Sequence, residues 1–250
     1  MITPEFHIVI PARYQSSRLP GKPLISLAGR SLIMRVVDSA GLAGAATVTV
    51  ATDNRRIFDH VHEHGGKAVM TASSHRNGTE RIAAVVAGAG EEDRIIVNVQ
   101  GDEPLLPPSC IRLVAETLAG APGRGMASLC VPVSEAREYH NPHCVKVVMD
   151  SHGRALYFSR SPIPAHRGSD ELPTGGHVYR HLGIYAYHRS VLEELVRLPA
   201  CFTEKAESLE QLRALHAGIP IHMAVSPEIP GPGIDTPEDV ERVEALLRPS

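Results

Sequence analysis

The 250-residue chain has no apolar run approaching the ~18 to 20 residues that a membrane-spanning helix needs, so a spanning helix is excluded. Its cysteines are few and scattered: Cys110, Cys130, Cys144 and Cys201 form no C-x-x-C pair, and no secretory leader precedes the first apolar run. A reducing, cytoplasmic setting is expected. Surplus positive charge is missing too, since 25 Lys and Arg stand against 28 Asp and Glu, for a formal net charge of -3. That balance argues against nucleic acid or a membrane as general partner, and any anion site must come from a local cluster. Internal repeats and low-complexity tracts are absent as well. The length suits one large α/β domain, with or without an embedded lobe.

Short β-branched runs alternate with segments of helical period. "HIVI" (7–10), "ATVTVAT" (46–52), "GKAVM" (66–70), "IIVNV" (95–99) and "MASLCVPV" (126–133) read as strands. Between them lie four helical segments, beginning "SLIMRVV", "RRIFDHV", "TERIAAVV" and "CIRLVAETL". This is the pattern of βαβ units and a mostly parallel sheet flanked by helices, whose ligands sit beyond the carboxyl ends of the strands. After about residue 140 the pattern changes to a hairpin, "CVKVVMD-SHG-RALYFSR", which announces a smaller α+β lobe with antiparallel strands. Residues 162–177, rich in Pro and Gly, are expected to form a mobile loop. Then follow a strand "HLGIYAY", two helices "SVLEELVRL" and "ESLEQLRALHAG", a strand "IHMAV", and a helix "TPEDVERVEALL" with Thr236 as N-cap and Pro237 at its first position. Residues 1–250 are read as a single domain, with a first half at 1–135 and the lobe at about 140–220.

Acidic residues are missing between Glu5 and Asp38, whereas Arg13, Arg18, Lys22, Arg30 and Arg35 all fall there. The loop after the first strand is not a Walker A loop, because Lys22 is followed by Pro23, and no G-x-G-x-x-G is present. What remains is a loop stiffened by Pro11, Pro20 and Pro23 that projects Arg13, Arg18 and Lys22. Rigidly presented Arg and Lys suit a polyphosphate. Arg30 and Arg35 fall on a predicted helix and are expected on its solvated face.

"VNVQGDEPLL" places Asp102 and Glu103 at a strand end. Mg²⁺ takes oxygen ligands and is usually held by one or two carboxylates plus substrate phosphates, so Asp102 is a candidate ligand. Asp235, just outside the last helix, is either a second ligand or an acid favoured by the helix dipole. Gly78, Thr79 and Arg81 open a helix whose N–H groups either bind an anion or base oxygens, or are an ordinary helix start. His60 and His64, four apart, suit a helix C-terminus better than a metal, since no further ligand group is in view.

Taken together, "IPARYQSSRLPGKPL", "NGTERI", "VNVQGDEP", "HLGIYAY", "ESLEQLRAL" and "PGPGIDTPEDVERV" resemble the 3-deoxy-manno-octulosonate (Kdo) cytidylyltransferases, from about residue 6 to 247. The resemblance implies a GT-A-like nucleotidyltransferase fold in a cytoplasmic homodimer. It implies an enzyme that makes CMP-Kdo and pyrophosphate from CTP and Kdo with Mg²⁺, for lipopolysaccharide synthesis. It carries Arg13, Arg18 and Lys22 to the CTP phosphates, Gly78, Thr79 and Arg81 to the cytidine, and Asp102 and Asp235 to the magnesium. Gln100, Arg160, His181, Tyr185, Glu210 and Gln211 go to the sugar, and Lys22, Arg13, Asp102 and Asp235 form the catalytic group. Asn77 departs from the family, which commonly has Ser there.

Arg160 suits the sugar carboxylate by bidentate geometry. His181 and Tyr185, four apart on a strand, share one face; for Tyr185 the alternative is sheet packing. Rival readings are a cytidylyltransferase for another acidic sugar, such as sialic acid, and a non-catalytic nucleotide-binding regulator. A GT-A glycosyltransferase is disfavoured because Asp102-Glu103-Pro104 is not a D-x-D motif.

Overall fold

The computed structural model describes residues 4–248 apart from 16, 17, 89 and 175. Strand β1 (Phe6–Ala12) is followed by two short strands, β2 (Ser26–Leu27) and β3 (Arg30–Ser31), which pair with each other. Next come α1 (Leu32–Gly41), β4 (Thr47–Thr52), α2 (Arg55–Glu63), β5 (Ala68–Met70) and α3 (Gly78–Val86). β6 (Ile95–Asn98), α4 (Pro108–Ala119) and β7 (Met126–Pro132) complete the first half. The second half holds α5 (Ala136–His140), the hairpin β8 (Lys146–Met149) and β9 (Ala155–Ser159), and the long β10 (Tyr179–His188). It ends with α6 (Arg189–Leu195), α7 (Phe202–Glu207), α8 (Gln211–His216), β11 (Ile221–Val225) and α9 (Pro237–Leu247).

Among the described residues one sheet of nine strands forms, ordered β11-β7-β10-β6-β1-β4-β5, with β8 on β10 and β9 on β8. β6, β1, β4 and β5 are parallel, as are β7 and β11, while β10 runs antiparallel to β6, β7 and β8. The expected α/β sheet and antiparallel lobe are therefore both present. Alternation explains why the central strands read as unbroken apolar runs, since each face is covered. Ile8, Ile10, Val50 and Val97 pack with α1, α2 and α4 on one side. Val9, Ala51 and Ile96 pack with α3, α6 and α8 on the other.

Antiparallel β10 carries the chain from the lobe past the carboxyl ends of the parallel strands. Tyr185 pairs with Asn98 at the end of β6, and residues 179–182 continue past that end along β7. A bulge between Leu182 and Tyr185 separates the two stretches. At this edge Gly101 is required by packing, because a Cβ there would lie 2.8 Å from the Pro11 carbonyl oxygen.

Two expectations are corrected. Arg30 lies on β3 and not on the helix, and it forms a bidentate pair with Asp38, donating from Nε and Nη2 at 2.8 Å each. Arg35 is on α1, but its guanidinium is turned back onto the Leu27 and Ala28 carbonyls, closing the turn that joins β2 to β3. "ESLEQLRALHAG" is not one helix. Ser208 takes a left-handed conformation (φ 52°), ending α7 after Glu207, and α8 starts afresh at Gln211. Arg213 holds the two short helices together through Glu204, donating from Nε at 2.9 Å.

The lobe is organised by a buried ammonium. Lys146, fully buried, donates to the carbonyls of Asn141 (2.9 Å), Cys144 (2.6 Å) and Arg160 (2.6 Å). Burial lowers its pKa below that of an ordinary lysine, yet all three protons find acceptors. The 162–177 segment contains no strand or helix among its described residues, but it is fastened to α5: Tyr139 donates to the Pro164 carbonyl at 2.7 Å. Lys146→Met keeps the volume and orphans three carbonyls, and is expected to cost about 3 kcal/mol in urea denaturation, with an unchanged m-value.

Candidate active site

Lys22 opens a single 3-10 turn, Lys22–Leu24, after Gly21 in a left-handed conformation. Its Nζ donates to Asp102 Oδ2 at 2.7 Å, to the Ile234 carbonyl at 2.9 Å and to Asp235 Oδ1 at 3.2 Å. Three segments distant in sequence thus meet at one nitrogen. Asp235 is set by the α9 start, where Thr236 and Asp239 form a reciprocal capping box. Asp235 Oδ2 also faces Arg18 Nη2 at 3.2 Å. Arg13 donates to the His75 carbonyl, which ties the loop to the segment before α3. Arg13, Arg18, Lys22, Gln100 and Asp102 all line one cleft of about 330 Å³ beyond the ends of β1 and β6. That is where a parallel sheet keeps its ligands.

The helix start at 77–81 is built differently from a bare anion site. Asn77 caps α3 by accepting from the Glu80 amide at 2.9 Å, and its Nδ2 donates to Glu210 Oε1 at 2.8 Å. Both ends of that amide are engaged, which accounts for Asn at this position. Thr79 Oγ1 donates to the other Glu210 oxygen at 2.9 Å. Burial raises the Glu210 pKa, and the Thr79 hydrogen bond and the Arg213 charge pull it back. Arg81 is fully buried: it pairs with Asp53 at 2.7 Å and donates to Thr71, so it fixes the ends of β4 and β5 against α3 and offers no exposed guanidinium. Gly78, the first residue of α3, lies close to Pro11, where an added Cβ would come within 3.1 Å of the ring.

His181 and Tyr185 stack at 5.4 Å between ring centroids, as their shared face requires. Burial holds the His181 pKa down at about 3, so the ring is neutral and shares a hydrogen bond of 2.8 Å with Ser128 Oγ. Burial also lifts Tyr185 well above the usual phenol range. Gln100 donates to Asn98 Oδ1 at 3.3 Å, and Gln211 is buried at the start of α8. Arg160 is held from the backbone, donating to the carbonyls of Glu207 (2.7 Å), Pro142 (3.0 Å) and Ser208 (3.4 Å), which engages all three nitrogens through three of its five N–H groups. The His60 and His64 rings, with Glu63, bring ligand atoms within 4.8 Å of one another. His60 Nε2 is already bonded to Ser31 at 2.7 Å, and His64 Nδ1 to the His60 carbonyl at 2.8 Å.

Beside His181 lies a second cleft of about 410 Å³, lined by Glu103, Arg180 and Gly183. Glu103 was visible in sequence only as the neighbour of Asp102, with no role of its own, and Arg180 escaped the sequence reading although it adjoins His181. Burial, and then the charge of Asp102, lift the Glu103 pKa to about 7.

A loop rich in Arg and Lys, two carboxylates sharing one cation and a mixed sheet with an antiparallel lobe suit a nucleotidyltransferase. The family described as Cytidylyltransferase matches residues 7–222. Similar proteins include the 3-deoxy-manno-octulosonate cytidylyltransferases of Nitrosococcus oceani (49% identical, 97% of this chain and 96% of that one) and Vibrio vulnificus (49%, 97% and 98%). A solved CMP:2-keto-3-deoxy-manno-octonic acid synthetase in complex with CTP superposes with a TM-score of 0.90 at 43% identity, over 98% of both chains. A Methanothermobacter nucleotidyl transferase shares the fold alone (TM-score 0.61, 17% identity, 97% of both chains). The chain belongs to the 3-deoxy-manno-octulosonate cytidylyltransferases.

An acid whose folded pKa lies above its unfolded value of about 4.5 weakens the fold as pH rises from about 4.5 to about 7. Glu103→Gln is therefore expected to match the wild type in stability at pH 4 and to exceed it by about 3 kcal/mol at pH 8, in denaturation carried out with EDTA present.

Proposed function

We propose that the protein transfers the cytidylyl group of CTP to Kdo, releasing pyrophosphate, with Mg²⁺ held by Asp102 and Asp235. The observation that carries the reading is the single cation shared by those two carboxylates at the mouth of an Arg- and Lys-lined cleft. Both aspartates reach the same nitrogen, so their oxygens already converge on one positive charge, as a hard divalent ion requires.

In this reading residues 1–135 bind CTP. Arg13, Arg18 and Lys22 gather the triphosphate, Gly78 and Thr79 face the cytidine, and Arg81 positions them from behind. The lobe at about 140–220 binds the sugar and makes the dimer contact. Gln100, His181, Tyr185, Glu210 and Gln211 meet its hydroxyls, and the N–H groups of Arg160 not used on carbonyls meet its carboxylate. The neutral ring of His181 can donate or accept a hydrogen bond without competing for the phosphates. The anomeric hydroxyl of Kdo attacks the α-phosphorus in line and loses its proton to water as the bond to the pyrophosphate oxygen breaks, and catalysis is positioning together with neutralisation of spreading charge. When bound, Mg²⁺ supplies part of that neutralisation and makes the attacking hydroxyl more acidic. The product serves lipopolysaccharide synthesis in the cytoplasm.

Pyrophosphate release measured with CTP, Mg²⁺ and a panel of acidic sugars tests this. Turnover is expected with Kdo and not with sialic acid, and preference for another sugar would replace the acceptor. Lys22→Ala, Asp102→Asn and Asp235→Asn are each expected to lower kcat at least about 100-fold, the size seen when one preorganised charge contact is removed. Near-wild-type turnover in any of them would remove that residue from the mechanism.

A further inference from the structure

Three of the four oxygens of Asp102 and Asp235 carry a protein cation. Lys22 lies on Asp102 Oδ2 and Asp235 Oδ1, and Arg18 on Asp235 Oδ2. Two negative charges therefore face two positive ones, and the pair of carboxylates presents no net charge to an incoming dication. The two cations are not equally placed. Arg18 and Asp235 are both more than half exposed, so their contact is weak and easily exchanged. Lys22 is only 14% exposed, and the Ile234 carbonyl holds it in place from a third direction. A metal ion taking the same carboxylate oxygens at about 2.1 Å would crowd and repel the ammonium that now bridges them. Either Lys22 leaves or the ion stays out.

Lys22 also lines the cleft with Arg13 and Arg18, so a triphosphate bound there offers it a stronger partner than two carboxylates. We propose that Lys22 is the resident counter-ion of Asp102 and Asp235 in the nucleotide-free protein and gives them up only to a bound triphosphate, so that the divalent ion is admitted with the nucleotide and not before. Removing a group needed for turnover should then improve metal binding to the empty enzyme. The inference rests on the reading of Asp102 and Asp235 as metal ligands.

The test is Mn²⁺ binding followed by water-proton relaxation enhancement, which distinguishes protein-bound from CTP-bound Mn²⁺, at low ionic strength and without Kdo. In the absence of nucleotide, Lys22→Ala and Lys22→Gln are expected to bind Mn²⁺ at least about tenfold more tightly than the wild type, one cation having left the immediate surroundings of the ion. Lys22→Arg keeps the charge and is expected to bind as weakly as the wild type. Circular dichroism of the variants confirms that they are folded. Equal Mn²⁺ affinity in the wild type and both neutral variants would overturn the counter-ion role, as would tight binding by Lys22→Arg. Asp102→Asn measured with CTP separates the underlying reading. Loss of the protein-dependent enhancement supports Asp102 as a ligand, whereas an unchanged enhancement removes it whatever the Lys22 variants do.

Discussion

The contact on which the rest depends is the Lys22 ammonium between Asp102, Asp235 and the Ile234 carbonyl. It joins a turn after β1, the end of β6 and the approach to α9, which are separated by 80 and 213 positions in the chain. A salt bridge on an open surface contributes little, but this lysine is largely withdrawn from water and has three acceptors. The loop, the strand end and the final helix are consequently one unit. The capping box of α9 belongs to it as well, because it sets where Asp235 stands.

Around that unit the lobe is arranged through backbone carbonyls more than through charge pairs. Lys146 holds the 141–144 turn and the Arg160 carbonyl, and the Arg160 guanidinium holds the Pro142, Glu207 and Ser208 carbonyls. Glu207 closes the circuit by accepting from the Arg160 amide and the Ser159 hydroxyl. Two cations with many donors thus order loops that lack regular hydrogen bonding, by supplying partners to their carbonyls.

The sheet was legible because its signals are local. Alternating apolar runs give the strands, and Thr236-Pro237 with Asp239 gives the last helix start. That Arg13, Arg18 and Lys22 share one cationic loop could be read from the missing acids and the prolines. Less could be read where tertiary contacts decide. Nothing in "ESLEQLRAL" by itself breaks a helix at Ser208; the break is maintained by the packing of two short helices through Glu204 and Arg213, and it delivers Glu210 to Asn77 and Thr79. Arg35 carries an ordinary surface charge in sequence, and its use as a clamp on the β2–β3 turn depends on carbonyls seven and eight positions away. Arg81 could be placed on α3, but not its burial against Asp53, which comes from the end of another strand.

The bulge in β10 has a consequence of its own. Before it, the strand runs with the lobe and carries His181; after it, the strand runs with β6 and carries Tyr185 and Tyr187. Side chains alternate along a strand, so adding or removing one residue at this point would turn every later side chain to the opposite face of the sheet. Residue types around Gly183 can vary while the stack of His181 on Tyr185 survives, but the number of residues there cannot. A one-residue insertion or deletion, which the irregular 162–177 segment before the strand can absorb, would break the stack at this step of the chain.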